Sequence, residues 1–156
     1  MRQRFHILLL TVLLLGVGCD SNDDPTLLEQ FTGTWRLTAV SDDSGNQNDR
    51  FFEAANSLTL TLNADETYTL VYDAFDDAAD QNLSGSFRID EPRSELNLAA
   101  EIVAGVPADV PFVYTFVEDN QVELTISAFV VNGLLEIDPG SETALLGAVK
   151  MTITKQ

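Results

Sequence analysis

Apolar side chains recur at every second position through most of the chain. In residues 33–40, Trp35 and Leu37 alternate with Arg36 and Thr38; in residues 57–63, Leu58, Leu60 and Leu62 share one parity. Tyr68, Leu70 and Tyr72 do the same in residues 67–73, and Leu83, Gly85, Phe87 and Ile89 alternate with Ser84, Ser86 and Arg88. Leu96 and Leu98 face away from Glu95 and Asn97. Phe112, Tyr114 and Phe116 form another row, as do Val122, Leu124 and Ile126, and the chain closes with Val149, Met151 and Ile153 against Lys150, Thr152 and Thr154. A period of two marks a strand with one dry face and one wet face.

Turn residues punctuate these runs. Ala64-Asp65 and Asp119-Asn120 predict short hairpin connections, and Asn132-Gly133 predicts a type I′ turn. Residues 90–93 and 105–107, each with a proline, predict longer breaks. Two short helices are expected, over residues 27–31 and 142–146, the second with Ser141 as its N-cap. Residues 51–55 read equally as a helical turn or a short edge strand.

Eight or nine strands joined in chain order by mostly short loops predict an antiparallel meander. Its dry face must be buried, and closing the sheet on itself does this while removing open edges. A sandwich would also bury that face, but in-order hairpins favour an up-and-down arrangement. The expected fold is therefore all-β, a meander closed into a barrel of eight to nine strands over residues 27–156. No internal repeat and no linker to a second domain is visible.

The first 26 residues break the pattern. Arg2 and Arg4 precede an apolar run from Ile7 to Leu15 interrupted only by Thr11. About a dozen apolar residues fall short of the ~20 that span a bilayer, so residues 1–18 are expected to be a removable signal segment. Val17-Gly18-Cys19 resembles a bacterial lipobox, in which small residues precede the lipidated Cys; Gly16 stands where that family usually has Leu. The resemblance implies a diacylglyceryl and palmitate-type anchor on Cys19 and a lipoprotein held in the cell envelope. It leaves open the outer membrane, the periplasmic side or the surface. Residues 19–26, with Asp20, Asp23 and Asp24, then form a polar tether. Its seven residues after Cys19 reach at most about 25 Å.

Composition narrows the chemistry. The 25 acidic and 8 basic residues give a net charge of -17. This opposes binding to nucleic acid or anionic headgroups, which need Lys and Arg. The single Cys excludes an intramolecular disulfide framework and a Cys-cluster zinc site. The single His, His6, lies in the signal segment, so the mature chain has no imidazole for general base or metal work. No phosphate loop, nucleophile elbow or metalloprotease motif occurs. The chain is therefore not expected to be an enzyme or to carry a cofactor or metal. The acidic runs Asp42–Asp49 and Asp73, Asp76, Asp77 and Asp80 lack the spacing of a calcium loop and read as solvated loops.

Phe31-Thr32-Gly33-Thr34-Trp35-Arg36-Leu37 resembles the opening of lipocalins and fatty-acid-binding proteins, which place a Gly-x-Trp motif at the first barrel strand. Residues 58–69, with an Asn-Ala-Asp turn before Thr67-Tyr68, resemble the second and third strands of bacterial lipocalin-like lipoproteins. The resemblance implies that Trp35 closes the barrel floor and that a small ligand occupies the interior. Two family features are missing: the late loop motif, and a late Arg to stack on Trp35, since only Lys150 and Lys155 lie near the C-terminus. Arg36 and Arg88 fall on the outward parity, so the expected ligand is neutral and apolar. Tyr68, Tyr72 and Tyr114, the polar tips on the inward face, are candidate orienting groups beside Phe87, Phe112 and Phe116. The competing reading is a monomer whose barrel is filled by these side chains and whose loops or outer patch contact another envelope protein.

Overall fold

The computed structural model describes residues 24–74, 80–103, 106–134, 140 and 144–156. The proposed signal segment, Cys19 and most of the tether lie outside these residues, as do Asp76 and Asp77.

The chain runs α1 (Leu27–Phe31), β1 (Gly33–Asp42), β2 (Gly45–Asn46), α2 (Asn48–Ala54), β3 (Ala55–Leu62), β4 (Thr67–Ala74) and β5 (Gln81–Asp90). It continues through a 3-10 turn (Glu91–Arg93) to β6 (Glu95–Val103), β7 (Val106–Glu118), β8 (Gln121–Ser127), α3 (Ala128–Leu134) and β9 (Ala148–Lys155). All neighbouring strands pair antiparallel, in the order β2-β1-β3-β4-β5-β6-β7-β8-β9, and β1 also pairs with β9. That last pairing closes eight strands into a barrel and leaves the two-residue β2 as an extra strand on β1. β1 serves both seams: its residues 33–36 pair with β3, and its longer run from Trp35 to Ser41 pairs with β9.

The alternation in the sequence is the inward and outward alternation of the barrel. Trp35, Leu60, Leu62, Leu96, Val122, Val149 and Ile153 are all nearly or wholly inaccessible. Arg36 and Arg88 are exposed on the outer face, and Arg88 pairs there with Asp109 at 3.3 Å. Asn97 departs from its outward reading. It is buried, with β5 Arg88 and β7 Pro111 as its ladder neighbours, and its Nδ2 has no hydrogen-bond partner.

The two ends of the barrel are built differently. At the floor, Thr26 and Glu29 form a capping box: the Thr26 Oγ1 accepts from the Glu29 N–H at 3.3 Å, and the Glu29 carboxylate accepts from the Thr26 N–H at 2.8 Å. Two bonds donated to the Glu29 carboxylate, from the Thr26 N–H and then from the Thr26 hydroxyl, hold that carboxyl below its usual range. The cap aims α1 so that Phe31, fully buried, enters the barrel against Tyr114 and Phe116 at ring-centroid distances of 5.0 and 5.1 Å. The Trp35 Nε1–H donates to the Phe31 carbonyl at 2.6 Å.

No late Arg stacks on Trp35, but the Lys155 Nζ lies 5.3 Å from the centre of the Trp35 ring and donates to the Gln30 carbonyl at 3.0 Å. A cation over an indole face is attracted by the ring quadrupole. Gly33 is the residue that permits this. Its φ is +138°, and a Cβ there would stand 2.6 Å from the Lys155 Cε.

At the opposite end, α2 and α3 cover the mouth. Residues 51–55 resolve as the end of a helix leading into β3, not as an edge strand. Asn132-Gly133 is not a hairpin turn; both residues lie in α3. The reason is visible at Asn132. Its buried side-chain amide donates to the Leu145 carbonyl and accepts from the Leu145 N–H, both at 3.0 Å. A side chain spent on tertiary bonds is not available to shape a local turn. Residues 144–146, the described end of the second expected helix, are not helical, and Ser141 lies outside the described residues. Asn132→Ala should therefore destabilise the protein by about 2–6 kcal/mol, because it strands one buried donor and one buried acceptor at about 1–3 kcal/mol each. Urea unfolding followed by circular dichroism measures this, and a loss below about 1 kcal/mol would mean that water reaches Leu145.

Candidate functional site

Between the filled floor and the α2–α3 cover lies an apolar cavity of about 50 Å³. Ten of its twelve lining side chains come from strands. Leu37, Leu58, Leu60 and Leu70 come from β1, β3 and β4; Leu96, Leu98, Phe112, Leu124, Met151 and Ile153 come from β6 to β9. The other two, Phe51 and Val131, come from α2 and α3 and close the top. Among the described residues, no ionisable or hydrogen-bonding side chain lines it. Such a surface offers a ligand dispersion and burial but no polar anchor.

Of the residues singled out from the sequence, Phe112 lines this cavity. Trp35, Tyr114 and Phe116 gather at the floor around Phe31, with Tyr114 and Phe116 5.8 Å apart. Tyr68 reaches over Gly85 of β5 to donate its hydroxyl to the Ala99 carbonyl at 2.9 Å. A Cβ at Gly85 would lie 2.5 Å from that carbonyl oxygen, so the space this glycine leaves belongs to the tyrosine. Tyr72 packs edge-on against Phe51, at 6.1 Å. Burial raises the pKa of all three tyrosines; at Tyr114 the negative charges of Glu91 and Asp90 add to it. Phe87 is buried beside a shallow groove of about 260 Å³ that runs between α1 and the lower end of β5.

The sequence reading missed Phe51 and Val131, since neither sits in an alternating run. The only signal was composition: Phe51-Phe52 and the apolar stretch from Ala128 to Val131 each stand where the strand alternation lapses.

The acidic run at the top of β1 is occupied with its own fold. Asp42 Oδ1 accepts from the Ser44 N–H, the Ser44 hydroxyl and the Gln47 amide, and its Oδ2 accepts from the Leu146 N–H at 2.9 Å. Burial pushes the Asp42 carboxyl up, but these bonds together outweigh it and hold the carboxyl below its usual range. Asp80 accepts from the Ala74 N–H, and Asp73 from the Asn56 amide. Among the described residues no three His, Cys, Asp or Glu side chains converge as a metal-binding group. Among those same residues no helix is long and apolar enough to cross a membrane.

No protein-family model matches the chain, and no curated protein matches it. The barrel and its cavity are therefore the ground on which function is argued.

Proposed function

We propose that this is a lipid-anchored protein of the cell envelope, lipocalin-like in kind, whose barrel takes up a small neutral apolar ligand without chemical conversion. The observation that carries the ligand reading is the cavity wall. Among the described residues, twelve side chains line the space and all are apolar. A carboxylate or ammonium placed there would lose its hydration and find no partner. The Gly-x-Trp opening, the lipobox-like residues before Cys19 and the closed meander agree with a lipocalin-like lipoprotein. The absence of His from the mature chain supports binding rather than catalysis. The tether joins α1 at the floor, so the α2–α3 end is the one away from the anchor.

The test is native mass spectrometry of the protein purified from its membrane, followed by titration with a fluorescent lipophilic dye. The expected result is a co-purified neutral mass or, after its removal, dye uptake at one site per chain. Clean apo protein that also leaves the dye dark would overturn the ligand reading.

One observation favours a second reading, a filled barrel that docks another envelope protein. Phe31 plugs the floor half, and Phe129 on α3 stands 79% exposed with Leu146, 54% exposed, on the segment that α3 holds. Loss of a co-purified protein on Phe129→Ser, with no small-molecule binding, would select that reading.

A further inference from the structure

We infer that Phe51 sets the size of ligand the barrel accepts, and that α2 is the part of the cavity wall that yields. This rests on the ligand reading above. A cavity of about 50 Å³ is small. An apolar cavity of about 150 Å³ is the scale that takes up benzene, so a ligand of even that size needs a wall to move.

The strand wall cannot supply that movement cheaply. Every strand of the closed barrel is paired with a neighbour on each side, seven of the ten strand residues have ladder partners on both sides and the other three on one, and withdrawing any of them breaks backbone hydrogen bonds. Only Phe51 and Val131 are carried on helices. Val131 is held in place, because its neighbour Asn132 clamps α3 to Leu145 through two buried hydrogen bonds.

Phe51 has no such clamp. α2 has seven residues, and its N-cap, Gln47, makes no side-chain capping bond. An isolated helix that short does not hold itself together. α2 is tied to β1 at its start, where Gln47 N–H donates to the Val40 carbonyl and Val40 N–H donates to the Asn48 side chain. At its far end it runs straight into β3, whose ladder with β4 slips between Ala55 and Ser57. Among the described residues, Phe51 meets two other rings, both edge-on, Phe52 at 5.5 Å and Tyr72 at 6.1 Å. A helix tied at one end and leading into an irregular ladder at the other can swing its middle outward and carry Phe51 with it.

The experiment uses the full chain with Cys19→Ser, which cannot be acylated, and a series of probes from benzene to butylbenzene. Calorimetry measures affinity, and amide hydrogen exchange maps the response. In the parent chain affinity is expected to stop rising after the first one or two added methylenes. In Phe51→Ala each further methylene should continue to gain about fourfold, the value of burying one CH₂. Phe51→Leu, the milder variant should the alanine fail to fold, should move the limit in the same direction by a smaller step. Probe binding to the parent should speed exchange in α2 and leave α3 and the strands unchanged. Probes that bind with the same size limit in all three proteins, or that loosen α3 instead, would overturn the role of Phe51 while leaving the ligand reading standing. Failure of every probe to bind any of the proteins would overturn both.

Discussion

Replacing Trp35 with alanine is expected to cost about 3–5 kcal/mol of stability, the range for a large buried aromatic truncated in a core. The indole is wholly inaccessible and sits where three structures meet. Its N–H satisfies the Phe31 carbonyl at 2.6 Å, its ring lies 6.4 Å from the Phe31 ring, and its outer face carries the Lys155 ammonium. Removing it empties the floor, orphans the last carbonyl of α1 and leaves Lys155 without its aromatic partner. Trp35→Phe should cost less, because it keeps most of the volume and loses only the hydrogen bond and part of the cation contact. Trp35 is the single tryptophan of the chain, so its fluorescence disappears with it. The comparison is therefore made by circular dichroism in a urea titration. A loss under about 1 kcal/mol for the alanine variant would show that the floor is held by Phe31 and its neighbours without the indole.

The barrel was legible in the sequence because period-two patterning is a direct image of the pleat: a residue and its next-but-one neighbour must face the same way. Leu58-Leu60-Leu62 and Val149-Met151-Ile153 point inward as read, and the in-order hairpins do form the closed meander. What escaped was everything decided by contacts distant in sequence. Asn132-Gly133 carries strong turn chemistry, yet the Leu145 backbone thirteen residues on claims the asparagine side chain, and the segment stays helical. Asn97 has outward parity but is buried between β5 and β7, the strands that flank its own. The contact of Lys155 with Trp35 likewise depends on the closing pairing of β1 with β9, which joins residues far apart in sequence.

The candidate site was legible in character more than in location. An apolar interior without charge followed from the outward parity of Arg36 and Arg88. Its position did not, because the aromatics that looked most like ligand contacts are taken up by the protein itself. Phe31 fills the space beside Tyr114 and Phe116, and the Tyr68 hydroxyl is spent on Ala99. The cavity that remains is bounded by leucines, which repeat so often in the strands that none stands out, and by two helical residues that no strand pattern could flag. The division has a physical cause: one end of the barrel is plugged from the N-terminal side by α1, which confines free volume to the end covered by α2 and α3.

Changing Cys19 to serine is expected to move the protein from the membrane pellet to the soluble fraction almost completely. Each buried acyl methylene contributes about 0.8 kcal/mol, one myristoyl chain gives only marginal attachment, and a second makes it stable. Little else in the molecule can replace that anchor. The net charge of -17 opposes an anionic leaflet, and among the described residues no helix is long and apolar enough to span one. A serine variant that kept its signal segment would retain about a dozen apolar residues, short of the ~20 needed to cross. Salt should therefore leave the native protein on the membrane, since its hold is apolar rather than electrostatic. Fractionation after radiolabelling with palmitate separates the possibilities: the native chain should carry label and pellet, and the serine variant should do neither. A variant that remains in the pellet after a high-salt wash would place the anchor elsewhere in the chain.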